Sequence, residues 1–217
     1  APAAPLAPVY SMPYGFIEKA PDGLEEPAQQ WVAASCGGAP VFALINDGKY
    51  SFSMKGGTLR MTAVRTPGYA DHFGKRDGLM EYTDQGIGEF KYSMLPCRAG
   101  YPEIVRAARL LNQPPEFVVE TYHKGALPAS WSGIAISSPD VIAEAFKRSE
   151  DGDGYVLRLF EASGRPARGV RVDCPAAGRS FECDFGPQEI KTLLLPDDAG
   201  GPVSERLISE LGAYIGE

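Results

Sequence analysis

Glycine and proline interrupt this chain so often that long regular elements have little room, with 25 Gly and 19 Pro among 217 residues. Short apolar stretches of strand length stand between them, a rhythm that predicts a sandwich or barrel of antiparallel strands. Tyr50, Phe52 and Met54 alternate with other residues, Lys55-Gly56-Gly57-Thr58 offers a tight turn, and Leu59, Met61 and Ala63 alternate again. That is a hairpin signal. Residues 134–136, 141–146, 155–160, 170–172 and 189–195 are further strand candidates, rich in β-branched and aromatic side chains. Alternation along two of them sends Leu157, Leu159 and Ile190 toward a core and Arg158 and Lys191 toward the other face. Two segments break the pattern. Ile104, Val105, Ala108 and Leu111 share a helical face over 102–112, with Pro102 near the start and Pro114-Pro115 beyond the end. Val203, Leu207, Leu211 and Tyr214 recur at helical spacing over 203–214. The chain therefore reads as mainly β with two short helices.

A chain of this size buries one sizeable core, so the expected organisation is a linker or cut end over 1–15 and a single domain over 16–217. Its net charge of −7, with both signs interspersed, offers no basic stripe for phosphates and argues against nucleic acid. No run approaches the ~20 apolar residues that span a bilayer. The first residues lack the regions of a signal peptide, and a cytoplasmic location is expected. Cys36, Cys97, Cys174 and Cys183 are far apart with no C-x-x-C pair, so reduced, partly buried thiols are expected, with a Cys174–Cys183 bridge as the alternative.

Residues that can carry chemistry are few. His72 and His123 are the two histidines, too few for a histidine-rich zinc centre, and no G-x-S-x-G elbow accompanies Asp71-His72. Asp151-Gly152-Asp153-Gly154 resembles the opening of a calcium loop, but Tyr155 stands where a third oxygen should be; a hairpin turn is expected. The candidates for a glycosidase carboxyl pair are Asp71, Asp84 and Glu81 or Glu89, and solvated loop charges are the expected reading of them. Trp31 and Trp131 have the faces to stack on a sugar, but both are expected as half-buried core residues. The excursion over 66–88, between two strands, collects Asp71, His72, Tyr82, Asp84 and Gln85. That mixture of donors, acceptors and an aromatic face suits sugar hydroxyls or a polar domain interface.

The run from Val41 through Ala43-Leu44-Ile45-Asn46-Asp47-Gly48-Lys49-Tyr50 to Phe52, followed by Gly57-Thr58-Leu59-Arg60-Met61 and Arg65-Thr66-Pro67, resembles the C-terminal domain of family-38 α-mannosidases. The similarity continues through Asp84-Gln85-Gly86 to Tyr92, Ala108-Arg109-Leu110-Leu111-Asn112, Leu157-Arg158-Leu159-Phe160-Glu161-Ala162-Ser163-Gly164 and Gln188-Glu189-Ile190-Lys191-Thr192. The resemblance implies an antiparallel β-sandwich of the galactose-mutarotase-like supersandwich type. It implies as parent a retaining, zinc-dependent glycoside hydrolase whose aspartate nucleophile, acid/base and zinc ligands all lie in a preceding α/β domain. None of those motifs is matched here, so no catalytic or metal-binding residue is assigned. Gln85 and Gly88 stand where the family often has arginine and histidine.

The expected function is therefore that of a non-catalytic domain of a mannosidase, acting on mannose metabolism through a larger enzyme. It would support an N-terminal catalytic domain and line a cleft for mannose-containing glycans through Asp71, His72, Tyr82, Asp84 and Gln85. The zinc would belong to that catalytic domain, and these residues alone would be inactive. The rival reading is an independent carbohydrate-binding module; an autonomous hydrolase using loop carboxyls is a third.

Overall fold

Tight turns set the strand boundaries from the start of the chain. In the computed structural model, which describes residues 5–68, 82–83, 85–198 and 200–206, Gly56 and Gly57 both take positive φ (56° and 75°). That geometry joins a strand β6 (Ser51–Lys55) to β7 (Thr58–Met61) in the expected hairpin, because a two-residue turn of this hand matches the strands' own twist. The described chain divides into two compact units where one domain over 16–217 was expected: 1–98 with 106–114, and 99–105 with 115–217.

The first unit contains a five-stranded antiparallel sheet of β1 (Leu6–Met12), β2 (Gly15–Glu18), β4 (Trp31–Cys36), β5 (Ala39–Asn46) and β8 (Tyr92–Pro96), in the order β2-β1-β4-β5-β8. A smaller sheet orders β3 (Glu26–Pro27), β6 and β7. Tyr10, Val32 and Leu44 from the large sheet meet Phe52, Leu59 and Met61 from the small one in a shared core, as in a sandwich. Residues 6–12 lie in the stretch expected to be a linker, yet Val9 and Tyr10 are fully buried in β1. Pro8 disguised the strand; it stands opposite Ala34 without breaking the pairing. Trp31 takes the core role, buried with Phe16 at 6.1 Å between ring centroids.

In the second unit, β10 (Val141–Arg148), β11 (Gly154–Glu161), β14 (Ile190–Pro196) and β15 (Ser204–Arg206) form one antiparallel sheet. A second sheet orders β13 (Arg179–Phe185), β12 (Ala167–Cys174) and β9 (Ala135–Ile136). Val141, Leu157, Leu159, Leu193 and Leu195 from the first pack on Val170, Val172, Cys174 and Phe185 from the second, which again makes a sandwich.

The phase expected for β14 is corrected by its register. Leu159 stands opposite Lys191 and Phe160 opposite Ile190; since opposed residues share a face, Lys191 lies on the core side and Ile190 on the other. Lys191 stays there by reaching the rim, where its ammonium meets Glu205 at 2.9 Å and Glu189 at 3.1 Å and lies 5.9 Å from the Phe185 ring centroid. Burial works against its charge, but Glu205 and Glu189 outweigh that and hold its pKa above the ordinary lysine value. The stem is apolar and the head finds partners, as snorkelling requires.

One helix, α1 (Tyr101–Asn112), fulfils the first helical expectation, with Glu103 accepting from the Ala99 amide ahead of the first turn at 2.8 Å. The expectation of a second helix over 203–214 is corrected where it can be seen: Ser204–Arg206 pair with Leu194, Leu193 and Thr192 as β15. An open edge of β14 competes with helical periodicity and wins. The rest of that stretch lies outside the described residues. None of the four cysteines is in a disulfide. Cys174 stands opposite Arg179 and Cys183 opposite Val170, so the two are displaced along the hairpin rather than paired, and burial pushes the Cys183 thiol up to about 11.

The calcium-like stretch is a turn, as expected: Gly152 donates to Ser149 O at 3.1 Å and the Ser149 amide to Gly154 O at 3.0 Å. Immediately beyond it, a Cβ on Gly154 would run into the Leu195 carbonyl oxygen and stand 2.8 Å from Pro196 Cα. Backbone atoms cannot yield cheaply there. Gly154→Ala is expected to cost roughly 2 to 3 kcal/mol by overpacking, measured as a lower urea midpoint; an unchanged midpoint would show that β11 and β14 are not so closely apposed.

Candidate functional site

The turn after β5 is built around Asn46. Its side-chain Oδ1 accepts from the Gly48 and Lys49 amides at 2.9 and 2.6 Å, its own amide donates to Gln30 O, and its carbonyl accepts from Asn112 Nδ2 at 3.0 Å. An Asn side chain folding back on the next residues is the usual physics of such turns. Here the buried carbonyl adds a tie to α1. Asp47 then grips the segment before β8: its Oδ1 accepts from the Lys91 amide at 2.8 Å, and its amide donates to Lys91 O at 3.2 Å. These bonds hold Lys49 and Tyr50 outward, with Lys49 Nζ 4.9 Å from the Phe90 ring centroid and Tyr50 well exposed.

Facing that turn, residues 62–68 leave β7, and residues 82–83 and 85–91 return toward β8. An antiparallel bridge joins Gly68 to Tyr82, the Thr83 amide donates to Pro67 O at 3.0 Å, and Gln85 Nε2 donates to Thr83 O at 3.2 Å. The three strips enclose an open cavity of about 600 Å³, lined by 48–51, 62–65 and 85–88. A neighbouring recess of about 560 Å³ is lined by Asp47 and 88–91. Arg65 lies 3.5 Å from Glu25, whose carboxyl is held below the usual range first by the Thr62 hydroxyl and also by Arg65. Among the described residues, the larger cavity presents Lys49, Arg65 and Gln85 as donors and Tyr50 as an aromatic face, with no carboxyl group in its lining. It can hold hydroxyl-rich or anionic groups, and its described lining residues include no carboxyl pair of the kind glycoside hydrolysis uses.

Of the residues expected at this site, Gln85 lines the cavity and Tyr82 closes the neck of the excursion beside it. Asp71, His72 and Asp84 lie outside the described residues. In the sequence, Lys49 and Arg65 stand only within the run that carries the family resemblance, and Tyr50 there and in the hairpin alternation. Their signal was a Lys-Tyr pair directly after an Asn-Asp-Gly turn, a place where side chains are presented rather than packed. Trp131, expected in a core, is instead exposed, and His123 Nδ1 lies 3.2 Å from the neighbouring Lys124 carbonyl oxygen.

Residues 140–194, from the start of β10 into β14, match the family described as glycosyl hydrolases family 38 C-terminal beta sandwich domain. The chain carries a family 38 C-terminal β-sandwich domain. Relatives extend the likeness beyond the matched segment: human alpha-mannosidase 2C1 is 32% identical over 152 residues, 68% of this chain and 13% of that protein. Alpha-mannosidase G of Dictyostelium discoideum is 26% identical over 130 residues, 56% of this chain and 11% of that protein. The crystal structure of an alpha-mannosidase from Enterococcus faecalis superposes with a TM-score of 0.67 at 16% identity, covering 86% of this chain and 24% of that one. The chain thus spans about one eighth of the length of the human family 38 relative. The segment matched to family 38 lies in the second unit, whereas the cavity lies in the first.

Proposed function

We propose that these residues act as the non-catalytic C-terminal part of a retaining, zinc-dependent α-mannosidase, supporting its catalytic portion and lining its carbohydrate cleft. The family match at 140–194, in a chain that spans only 13% of its human mannosidase relative, carries this reading. Among the described residues no group of three His, Cys, Asp or Glu side chains is placed to hold a metal. In this reading the zinc belongs to the catalytic portion, as the family resemblance implies. A cytoplasmic setting, where thiols stay reduced, suits four cysteines that form no disulfide.

The cleft role belongs to the cavity beside the Asn46 turn. Lys49 and Gln85 would donate to sugar hydroxyls while Tyr50 lies against a ring face; Tyr82 and, in the same excursion, Asp71, His72 and Asp84 remain part of the proposal. In the full-length enzyme, Lys49→Ala with Gln85→Ala is expected to lower kcat/KM on a branched mannoside about tenfold, the loss of one or two bonds to a charged or polar group. Melting should stay within a few degrees, as for exposed positions. Equal kinetics on short and branched mannosides before and after substitution would remove the cleft role and leave structural support alone.

The second reading, an independent carbohydrate-binding module, is favoured by the exposure of Tyr50 at the cavity rim. Calorimetric titration of the isolated chain with mannobiose separates the two. Binding lost on Tyr50→Ala would favour the module.

A further inference from the structure

After α1 the chain does something no other described part of it does. From 113 to 132 twenty consecutive residues are exposed. Large apolar side chains are among them: Phe117 is 89%, Val119 96%, Tyr122 100% and Leu127 92% exposed, with Val118 between the first two. Among the described residues no backbone–backbone hydrogen bond ties 114–131 to another part of the chain. Contiguous apolar exposure of this kind marks an interaction surface. Bare backbone N–H and C=O groups add a second demand, since these too seek partners.

The composition says what kind of partner fits. Phe117-Val118-Val119-Glu120-Thr121-Tyr122 is rich in β-branched and aromatic residues and has no glycine or proline, which favours an extended strand. Successive side chains of a strand point to opposite faces, so a flat surface would cover Phe117 and Val119 and leave Val118 bare. A groove, or a place at a sheet edge with cover on both sides, buries all three and pairs the backbone as well.

We propose that Phe117–Tyr122 is a docking strand that adds to a sheet edge in the part of the mannosidase polypeptide outside these residues. This rests on the reading that the chain is one portion of a longer family-38 enzyme. The human relative has 87% of its length beyond the aligned region, as 100 − 13. A partner on the same polypeptide meets the segment at millimolar effective concentration, enough for a short unstructured strand to dock without a large interface.

Hydrogen–deuterium exchange tests it, comparing the isolated 217-residue chain with the longer polypeptide that contains it. The 117–122 amides should exchange at unprotected rates in the isolated chain and at least roughly 100-fold more slowly in the longer one, the behaviour of a locally stable strand. Val118→Asp with Val119→Asp should abolish that protection and leave the isolated chain's melting temperature unchanged. Equal exchange in both polypeptides, or protection that survives the double substitution, would overturn the proposal. So would protection already present in the isolated chain with the mass of a dimer, since a second copy would then be the occupant. Hydrolysis of an aryl α-mannoside by the longer polypeptide is measured on the same sample. Its absence would sink the mannosidase reading, whereas protection reports on docking alone.

Discussion

Leu157→Asp is expected to leave the second unit with no cooperative melting transition. Leu157 is fully buried on the central strand β11, opposite Leu193, in a core shared with Val172 and Phe185 of the facing sheet. An aspartate there exchanges apolar contact for a charge without a partner. Burying such a group costs several kcal/mol, on the order of 5, which is comparable with the whole stability of a small domain. Circular dichroism during heating, with near-ultraviolet signal to report packing, reads the result. A transition within a few degrees of the parent's would mean that Leu157 does not face that core. The same substitution at Ile190, on the opposite face of β14 and only partly buried, should cost distinctly less.

Glu161→Gln is expected to lower stability by about 3 kcal/mol, although it changes no more than an oxygen for an NH2 group. Glu161 is fully buried at the end of β11. One carboxyl oxygen accepts from the Ser163 amide and hydroxyl at 2.6 and 2.5 Å. The other accepts from the amides of Gly164, Arg165 and Gln188 at 2.8, 3.1 and 3.0 Å. Each of these bonds is donated to the carboxylate, so either orientation of a glutamine amide turns an NH2 group toward backbone amides and leaves at least one of them without an acceptor. Each unsatisfied buried donor costs ~1 to 3 kcal/mol. Urea unfolding measures the difference. A loss below roughly 0.5 kcal/mol, the range of ordinary surface changes, would show that the two turns it joins hold without it.

These two positions also show what local sequence pattern can and cannot reveal. Leu157 and Leu159 were legible because alternation along one strand is a local signal. Glu161 stood in a quoted run as one more charged residue, and its role as acceptor for the distant Gln188 amide depends on a turn 27 residues away. The Gly56-Gly57 hairpin and α1 were legible for the same local reason. β14 was misphased because Lys191 counts as polar in a pattern but behaves as an apolar stem with two carboxyl partners. β1 escaped because Pro8 resembles punctuation, and β15 because three residues carry no period that decides between helix and strand. At the site, the excursion was visible from its composition and brought in Tyr82 and Gln85. Lys49 and Arg65 were not singled out, because the cavity they line is formed by strips that only the fold brings together.

The bridge between Gly68 and Tyr82 has a consequence for how such a domain can diversify. With both ends of the excursion clipped to each other and to Pro67, the chain length between them is decoupled from the strands that follow. Doubling a closed loop adds only about 0.6 kcal/mol of closure entropy, so residues can be inserted or removed there at little thermodynamic expense to β7 or β8. Related chains can therefore exchange this segment as a cassette while inheriting the sandwich unchanged.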